Sequence, residues 1–423
     1  MAGGSDRDAA SGARQPVLRA FHGDSRHVLR RLPDDSVDAV VSDAPYALTA
    51  IVRRFGADNA APAKGGVYAR TGAGFMGQRW DTGETAFDPY FWMEVLRVVK
   101  PGGHIVVAGG TRTYHRLATA VEDAGFEIRD MVSWLYGSGF PKSHDVAKGI
   151  DATLLSGSAR TEDIRRLAMG SAYRPSGRGR ANFDHGGGSA MNGAKGVDAL
   201  TAEAAKWDGW GTALKPACEP WVLARKPLAG TVASNVMAHG TGAINIDGRR
   251  IIGPGCTGLD GDPSGRWPAN VVHDGSDEVV AAFPMAAGQL AAGQLAAVGP
   301  EHGARPSVNV YGDFGPRPHT PPRGDSGSAA RFFYSAKAGK EDRAGSKHPT
   351  VKPVALMAWL CRLVTPPGGL VLDPFAGSGS TGVAALREGF DCILVEREAD
   401  YFADIERRFG RFGVDGFRRE VAA

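Results

Sequence analysis

The sequence of 423 residues is poor in the features that mark metal, disulfide and membrane proteins. It has four cysteines, none at a short metal-ligand spacing from another, so neither a zinc site nor a disulfide framework is expected. No run of about 18 apolar residues is available to cross a membrane. The first 15 residues lack the apolar centre of a signal peptide. These absences favour a cytoplasmic enzyme without a resident metal.

A strong charge of either sign is also missing. Lys and Arg number 49 against 46 Asp and Glu, a net charge of +3, so nucleic-acid binding cannot be argued from total charge. The best local basic patch is a set of arginines interleaved with Gly and Ser. Two interpretations of the patch stay open, phosphate contact and a solvated loop. Its members are Arg160, Arg165, Arg166, Arg174, Arg178 and Arg180.

Strand-length apolar runs alternate with helical patterns at both ends of the chain. The run Val37–Ser42 is apolar except at Asp38 and Ser42, which is typical of a parallel strand buried on both faces. The alternation predicts an α/β fold with a mostly parallel sheet built from both ends of the chain. The predicted segments are a flexible tail at 1–16, one half of the sheet at 17–136, an irregular basic insertion at 137–218, a returning strand at 219–229, an irregular region at 230–331 and the other half at 332–423.

A glycine loop follows the predicted strand Leu370–Leu372. Asp373-Pro374-Phe375-Ala376-Gly377-Ser378-Gly379 leads into a helix, so the backbone can approach a ligand closely. Glu396 ends the next strand, where a carboxylate can accept both hydroxyls of a ribose. The spacing also fits a dinucleotide site, or glycines that only turn the chain. Because the chain after Glu396 is too short for the remaining strands of a dinucleotide fold, a single adenosine-containing cofactor is favoured.

A second motif, Asp43-Ala44-Pro45-Tyr46, ends the buried strand that starts at Val37. An exocyclic amine is a poor nucleophile because its lone pair is delocalised into the ring. A carboxylate from Asp43 and the carbonyl of Ala44 can both accept hydrogen bonds from the amine and so free its lone pair. Pro45 fixes the backbone, and Tyr46 offers a face for a flipped base. The alternative is an ordinary Asp-Pro turn.

Together these segments resemble the DNA amino-methyltransferases, in the permuted, beta-type order in which the catalytic motif precedes the cofactor motif. Asp43–Tyr46 resembles the family's Asp-Pro-Pro-Tyr, with Ala44 in place of the first proline, which leaves the loop less rigid. Residues 373–381 resemble its cofactor loop. His348–Pro353 resembles the segment before that loop, which contacts the methionine part of the cofactor. Residues 22–25 resemble the strand end that meets the cofactor adenine.

The resemblance implies a Rossmann-like S-adenosylmethionine-dependent methyltransferase sheet with an inserted target-recognition region, placed at 230–331. It implies S-adenosylmethionine as cofactor, double-stranded DNA as partner, base flipping and a possible homodimer, with a cytoplasmic, nucleoid-associated location and a role such as restriction–modification. The predicted catalytic residues are Asp43, Ala44, Pro45 and Tyr46. The predicted cofactor-binding residues are Asp24, Ser25, Asp43, Thr350, Lys352, Asp373, Pro374, Phe375, Ala376, Gly377, Ser378, Gly379, Thr381, Glu396 and Arg397.

The aspartate at the first position of the catalytic motif is typical of the family's adenine enzymes, whereas its N4-cytosine enzymes typically carry serine there. Adenine N6 is therefore the predicted target, with cytosine N4 as the alternative. Methylation of RNA or of a protein amide, and a weakly active DNA-binding regulator, also stay open. Trp80 is a candidate for the border of the base pocket, and Arg249, Arg250, Arg266 and Asn270 are candidates for reading bases.

Overall fold

The computed structural model forms two compact units, one built from Met1–Gly137 with Cys218–Ala423 and the other from Ser138–Ala217. The residues described are 14–46, 85–139, 143–156, 201–253, 256, 263–285, 307–309, 312–314, 328–337, 339–346, 348, 350–411 and 417–421. Most of the predicted tail, Trp80 and the six arginines between 160 and 180 lie outside the described residues.

Ten of the described strands form one sheet in the larger unit, in the order β12-β1-β11-β10-β2-β3-β5-β4-β6-β9, and β7 pairs with β8 in a separate hairpin. The strands are β1 Leu18–His22, β2 Val37–Asp43, β3 Val99–Ala108, β4 Glu127–Leu135, β5 Cys218–Arg225, β6 Val271–His273, β7 Ser307–Asn309, β8 Gly312–Phe314, β9 Tyr334–Ser335, β10 Leu370–Asp373, β11 Asp391–Glu396 and β12 Phe417–Val421.

The sheet is parallel except at β5, which runs antiparallel to both of its neighbours, β3 and β4. Strand β10 pairs in parallel with β11 on one side and with β2 on the other. The chain therefore continues in opposite directions from these two central strands. In open α/β sheets such a switch point leaves a crevice at the carboxyl ends of the strands, where ligands bind. Asp43 and Asp373 each end one of the two strands.

Helices cover both faces of the sheet. One apolar cluster includes Leu356 and Phe409, and the other includes Trp92 and Leu117. No helix among the described residues has the length and apolar character of a membrane span. The helices are α1 Ser25–Leu29, α2 Pro89–Val98, α3 Tyr114–Asp123, α4 Val146–Ser156, α5 Ala202–Ala205, α6 Val232–His239, α7 Asp277–Ala282, α8 Lys340–Arg343, α9 Val354–Val364, α10 Ser380–Arg387 and α11 Ala399–Arg411, with 3₁₀ turns at Asp247–Arg249 and Ala329–Phe332; α4 and α5 belong to the smaller unit.

The predicted fold class, an α/β fold with a mostly parallel sheet built from both ends of the chain, is confirmed. The structure adds three strands to the ten-stranded sheet that the sequence did not predict, β6, β9 and β12, and it also adds the hairpin of β7 and β8. Strands β6 and β9 have three and two residues, too few to show an apolar alternation. Strand β3 begins at Val99 and includes the turn-prone residues Pro101–Gly103, where Gly102 adopts a φ of +76°.

Candidate active site

A buried carboxylate links the two motifs at the switch point. Asp373 Oδ1 accepts a hydrogen bond from Ser42 Oγ at 2.6 Å and from the Phe375 amide at 3.0 Å, and its Oδ2 accepts one from the Thr381 hydroxyl. Burial raises the pKa of Asp373 to about 6. Because both oxygens are engaged by the chain itself, Asp373 holds the glycine loop against the end of β2, next to Asp43.

The glycine loop has a backbone that only glycine adopts easily. Gly377 and Gly379 have φ values of +51° and +80°. The Gly377 amide donates to Glu396 at 2.7 Å, and the Glu398 amide donates to the other oxygen of the same carboxylate at 2.7 Å. Burial raises the pKa of Glu396 to about 8. The predicted ribose-binding carboxylate is therefore buried beside the loop and anchors it.

The remaining members of the predicted cofactor loop are mostly packed into the protein. Pro374, Ala376 and Ser378 are buried, and the Ala376 amide donates to the Val395 carbonyl at 3.0 Å. Phe375 is half-buried, with its ring centroid 5.2 Å from that of Phe91. The loop is thus attached to β11 by the backbone and to α2 by the phenylalanine ring.

Four side chains meet at the end of β2. The ammonium group of Lys352 lies 2.6 Å from Asp43 Oδ2, 3.1 Å from the Tyr46 hydroxyl and 3.3 Å from Glu219 Oε2. The first two contacts are hydrogen bonds, whereas Glu219 Oε2 forms an ion pair with Lys352 and has no hydrogen-bond partner among the described residues. We call this group the Asp43 cluster: Asp43, Tyr46, Glu219 and Lys352. Asp43 Oδ1 is also buried, and it has no hydrogen-bond partner among the described residues.

The charges of the Asp43 cluster depend on one another. Burial opposes the charged form of Lys352, but the carboxylates of Asp43 and Glu219 outweigh it and raise the pKa of Lys352. Burial and the nearby Asp43 raise the pKa of Glu219, and Lys352 opposes this rise. Burial, followed by the charges of Asp43 and Glu219, raises the pKa of Tyr46 well above its ordinary value. Lys352 is therefore charged, and Tyr46 is a neutral phenol.

The rest of the catalytic motif is fixed by the backbone and by packing. Ala44, which stands where the family has proline, is 2% exposed and belongs to the apolar cluster of α1, α2 and α3. The Thr113 hydroxyl donates to the Tyr46 carbonyl at 2.5 Å. A Cβ on Gly110 would lie 3.1 Å from Tyr46 Cβ, so a glycine there leaves room for the ring. Burial of Ala44 thus supplies order that a proline ring would otherwise give.

The predicted cofactor-binding residues outside these two motifs make capping, backbone and surface contacts. Asp24 caps α1 through the Arg26 amide and pairs with the Arg26 side chain at 2.6 Å, which lowers the pKa of Asp24. Ser25 is buried at the start of the same helix. The Thr350 amide donates to His348 Nδ1 at 3.3 Å. Arg397 pairs with Glu398 on the surface. Their predicted cofactor roles stay predictions.

Glu219, Ser42 and Thr113 were missed by the sequence analysis. Glu219 carried a signal, since an acidic residue at the start of the apolar strand β5 is unusual in a sheet interior. Ser42 and Thr113 carried none, because their roles depend on a carboxylate and a carbonyl that lie far away in sequence. Among the described residues, no group of three or more His, Cys, Asp or Glu side chains is placed to hold a metal ion.

Comparison with known proteins gives a match over part of the chain. Residues 316–407 match the N6/N4 methyltransferase family, described as DNA methylase. The Type II methyltransferase M2.MboI of Moraxella bovis is 35% identical over 71 residues, 17% of this chain and 26% of that protein. The Type II methyltransferase M2.DpnII of Streptococcus pneumoniae is 39% identical over 69 residues, 16% of this chain and 26% of that protein. This chain thus spans about a quarter of each relative.

A solved structure aligns over more of the chain, at low similarity. It is TTHA0409 of Thermus thermophilus, a putative DNA modification methylase complexed with S-adenosyl-L-methionine. The alignment covers 96% of this chain and 98% of that one, with 17% identity and a TM-score of 0.40. The family match confirms the resemblance to DNA amino-methyltransferases for the segment that contains the glycine loop and Lys352. The catalytic motif at 43–46 lies outside that segment.

Proposed function

We propose that this chain transfers a methyl group from S-adenosylmethionine to an exocyclic amino group in duplex DNA, with adenine N6 as the target. The observation that carries the proposal is the junction of the two motifs. The hydrogen bond from Ser42 to Asp373 joins the end of β2 to the glycine loop. Next to this junction, Asp43 keeps one buried oxygen without a partner among the described residues. An acceptor placed this way suits an incoming N–H donor.

The residues around the glycine loop fit an adenosine-containing cofactor. Gly377 and Gly379 leave backbone that a ligand can approach, and Glu396 is a buried carboxyl group whose two oxygens can each form a further hydrogen bond with a ribose hydroxyl. Asp24 is placed at the end of β1, the strand beside β11. The cofactor supplies an electrophilic methyl group on a sulfonium, which becomes a thioether when the methyl leaves.

The chain's own residues then prepare the amine. Asp43 Oδ1 and the carbonyl of Ala44 accept the two N–H bonds of the target amine, which turns its lone pair out of the ring. Tyr46, a neutral phenol, stacks on the flipped base, and flipping costs a few kcal/mol. Methyl transfer from such a cofactor would leave one proton in excess on the amine nitrogen, and Asp43 would accept that proton and pass it to solvent. Catalysis in this scheme is positioning and electrostatics.

Lys352 and Glu219 act through Asp43. Lys352 donates hydrogen bonds to Asp43 and Tyr46 and forms an ion pair with Glu219. We propose that Lys352 fixes Asp43 Oδ2, which leaves Oδ1 for the amine, and its predicted part in cofactor binding stays a prediction. Glu219 shares the positive charge of Lys352, so Asp43 is not fully neutralised. We assign positioning roles to both residues.

The test is incubation of the purified chain with unmodified genomic DNA and methyl-labelled S-adenosylmethionine, followed by mass spectrometry of the nucleosides. Labelled N6-methyladenine is the expected product. Labelled N4-methylcytosine would keep the chemistry and overturn the choice of base. If the cofactor binds and no label enters DNA, the DNA-methylation proposal fails, and RNA, a protein amide or a regulatory role takes its place. Target recognition by 230–331 and a homodimer remain proposals.

A further inference from the structure

A second cavity lies beside helix α9, and none of its lining residues belongs to the Asp43 cluster. Its volume is about 520 Å³, and helix α9, the 3₁₀ turn Asp247–Arg249 and the end of α10 form its walls. Four guanidinium groups and a single carboxylate, that of Glu388, line it. The four arginines are Arg249, Arg250, Arg362 and Arg387. Its lining side chains therefore carry a net positive charge of three.

The positive charge is only partly neutralised by the protein. Arg362 pairs with Glu388, and Arg250 pairs with the exposed Asp247 at 2.7 Å. Arg249 is 9% exposed, and its Nε has no hydrogen-bond partner in the described part of the chain. Burial, and then repulsion by Arg362, lowers the pKa of Arg249. Burying a guanidinium next to another one is costly unless an anion compensates it.

Aromatic and apolar side chains also line the cavity. Trp359 and Tyr334 stack with their ring centroids 5.5 Å apart and an angle of 19° between the rings. The Tyr334 hydroxyl donates to the Ala355 carbonyl at 3.2 Å, so its polar end is satisfied. Ala358 and Ile252 also line the cavity. A cavity lined by guanidinium groups together with aromatic and apolar side chains suits an anionic group attached to a sugar or a ring.

We infer that this cavity binds a phosphate ester of a nucleotide, held by the guanidinium groups of Arg249 and Arg362. The phosphate has two possible sources, a free mononucleotide or the backbone of a DNA strand. The chemistry of recognition is the same for both, since planar guanidinium groups bind phosphate oxygens in pairs. For the DNA source the inference rests on the proposed function, whereas for the mononucleotide it does not.

The test measures binding by the full chain without any methyl transfer. Isothermal titration calorimetry with inorganic phosphate and with adenosine 5′-monophosphate tests the free source. Fluorescence anisotropy of a short duplex over a range of salt concentrations tests the DNA source. The variants are Arg249→Met and Ile252→Glu. The second adds a carboxylate at a cavity position that is 80% exposed, so it leaves the fold intact. Arg116→Met, an exposed arginine on α3, is the matched control.

A free mononucleotide as ligand predicts calorimetric binding that falls at least ~10-fold in both variants and not in the control. Arg249→Met removes a charged hydrogen bond, which contributes about 1.5–3 kcal/mol, and Ile252→Glu places a negative charge beside the phosphate. DNA as ligand predicts weaker duplex binding, with a salt dependence reduced by about one phosphate contact in Arg249→Met. The inference is overturned if both variants bind phosphate, mononucleotide and duplex as the control does. Cofactor binding is measured in the same variants. If it is unaltered while the cavity variants bind phosphate ligands as the control does, the inference about the cavity fails and the proposed function is untouched.

Discussion

Replacing Glu219 with glutamine tests whether the second carboxylate of the Asp43 cluster serves the reaction. Glu219 Oε2 lies 3.3 Å from Lys352 Nζ, and both groups are buried. At that distance an effective dielectric constant of about 20 gives a gross attraction of about 5 kcal/mol. The cost of burying the glutamate offsets much of it. Without Glu219 the ammonium group neutralises Asp43 more completely, so Asp43 accepts a weaker hydrogen bond from the target amine.

We expect Glu219→Gln to lower kcat about 10- to 100-fold, which corresponds to roughly 1.4–2.7 kcal/mol of transition-state stabilisation. The cofactor dissociation constant should stay unchanged. The matched control is Glu127→Gln, since Glu127 pairs at 2.6 Å with Arg225, on the same strand as Glu219 but at its other end. Single-turnover methyl transfer and calorimetric cofactor binding are measured for both variants. The reasoning is refuted if Glu219→Gln keeps its rate, or loses no more than the control does.

Two further predictions concern the cofactor loop. Gly382→Ala should destabilise the fold by about 1–3 kcal/mol, because the new Cβ would lie 2.7 Å from the Leu394 side chain. Urea unfolding measures the change in stability. The control is Gly410→Ala, which should be neutral or stabilising because its Cβ would meet nothing within 4 Å. Glu396 has its pKa raised to about 8 by burial, so the folded state keeps a proton that the unfolded state has lost. The free energy of unfolding should therefore fall by up to roughly 5 kcal/mol between about pH 4.5 and about pH 8. Unfolding curves of Glu396→Gln should not show this dependence of stability on pH. If the dependence persists in the variant, Glu396 is not its source.

The sequence predicted the centre of the sheet better than its edges. Strands β2 and β10 were predictable because each is a buried apolar run that ends in a recognisable motif. Strand β12 was not, because Phe417–Val421 has three charged residues among five and joins the sheet only by pairing with β1. Tertiary pairing decides such segments, and local composition does not.

In the candidate active site, too, the sequence predicted the residues of the motifs and not the contacts between distant segments. The motifs identified Asp43 and the glycine loop, since the required chemistry restricts residue types at fixed spacing. The contacts of Lys352 could not be predicted, because its motif gives no sign that Glu219 and Asp43 lie beside it. The hydrogen bond between Ser42 and Asp373 spans 331 residues, so no local pattern could indicate it.

The most direct test of the account is a comparison of Asp43→Asn with Asp38→Asn in single-turnover methyl transfer to duplex DNA, with cofactor affinity measured on the same preparations. Asp38 lies on the same strand and pairs with Lys100 at 2.6 Å, so it matches Asp43 as a carboxylate paired with a lysine. We predict that Asp43→Asn binds the cofactor normally and loses at least ~100-fold in rate, the scale expected for removing one electrostatic contact to the reacting group. Asp38→Asn should keep its rate. An Asp43→Asn variant that methylates DNA at the wild-type rate would contradict the account.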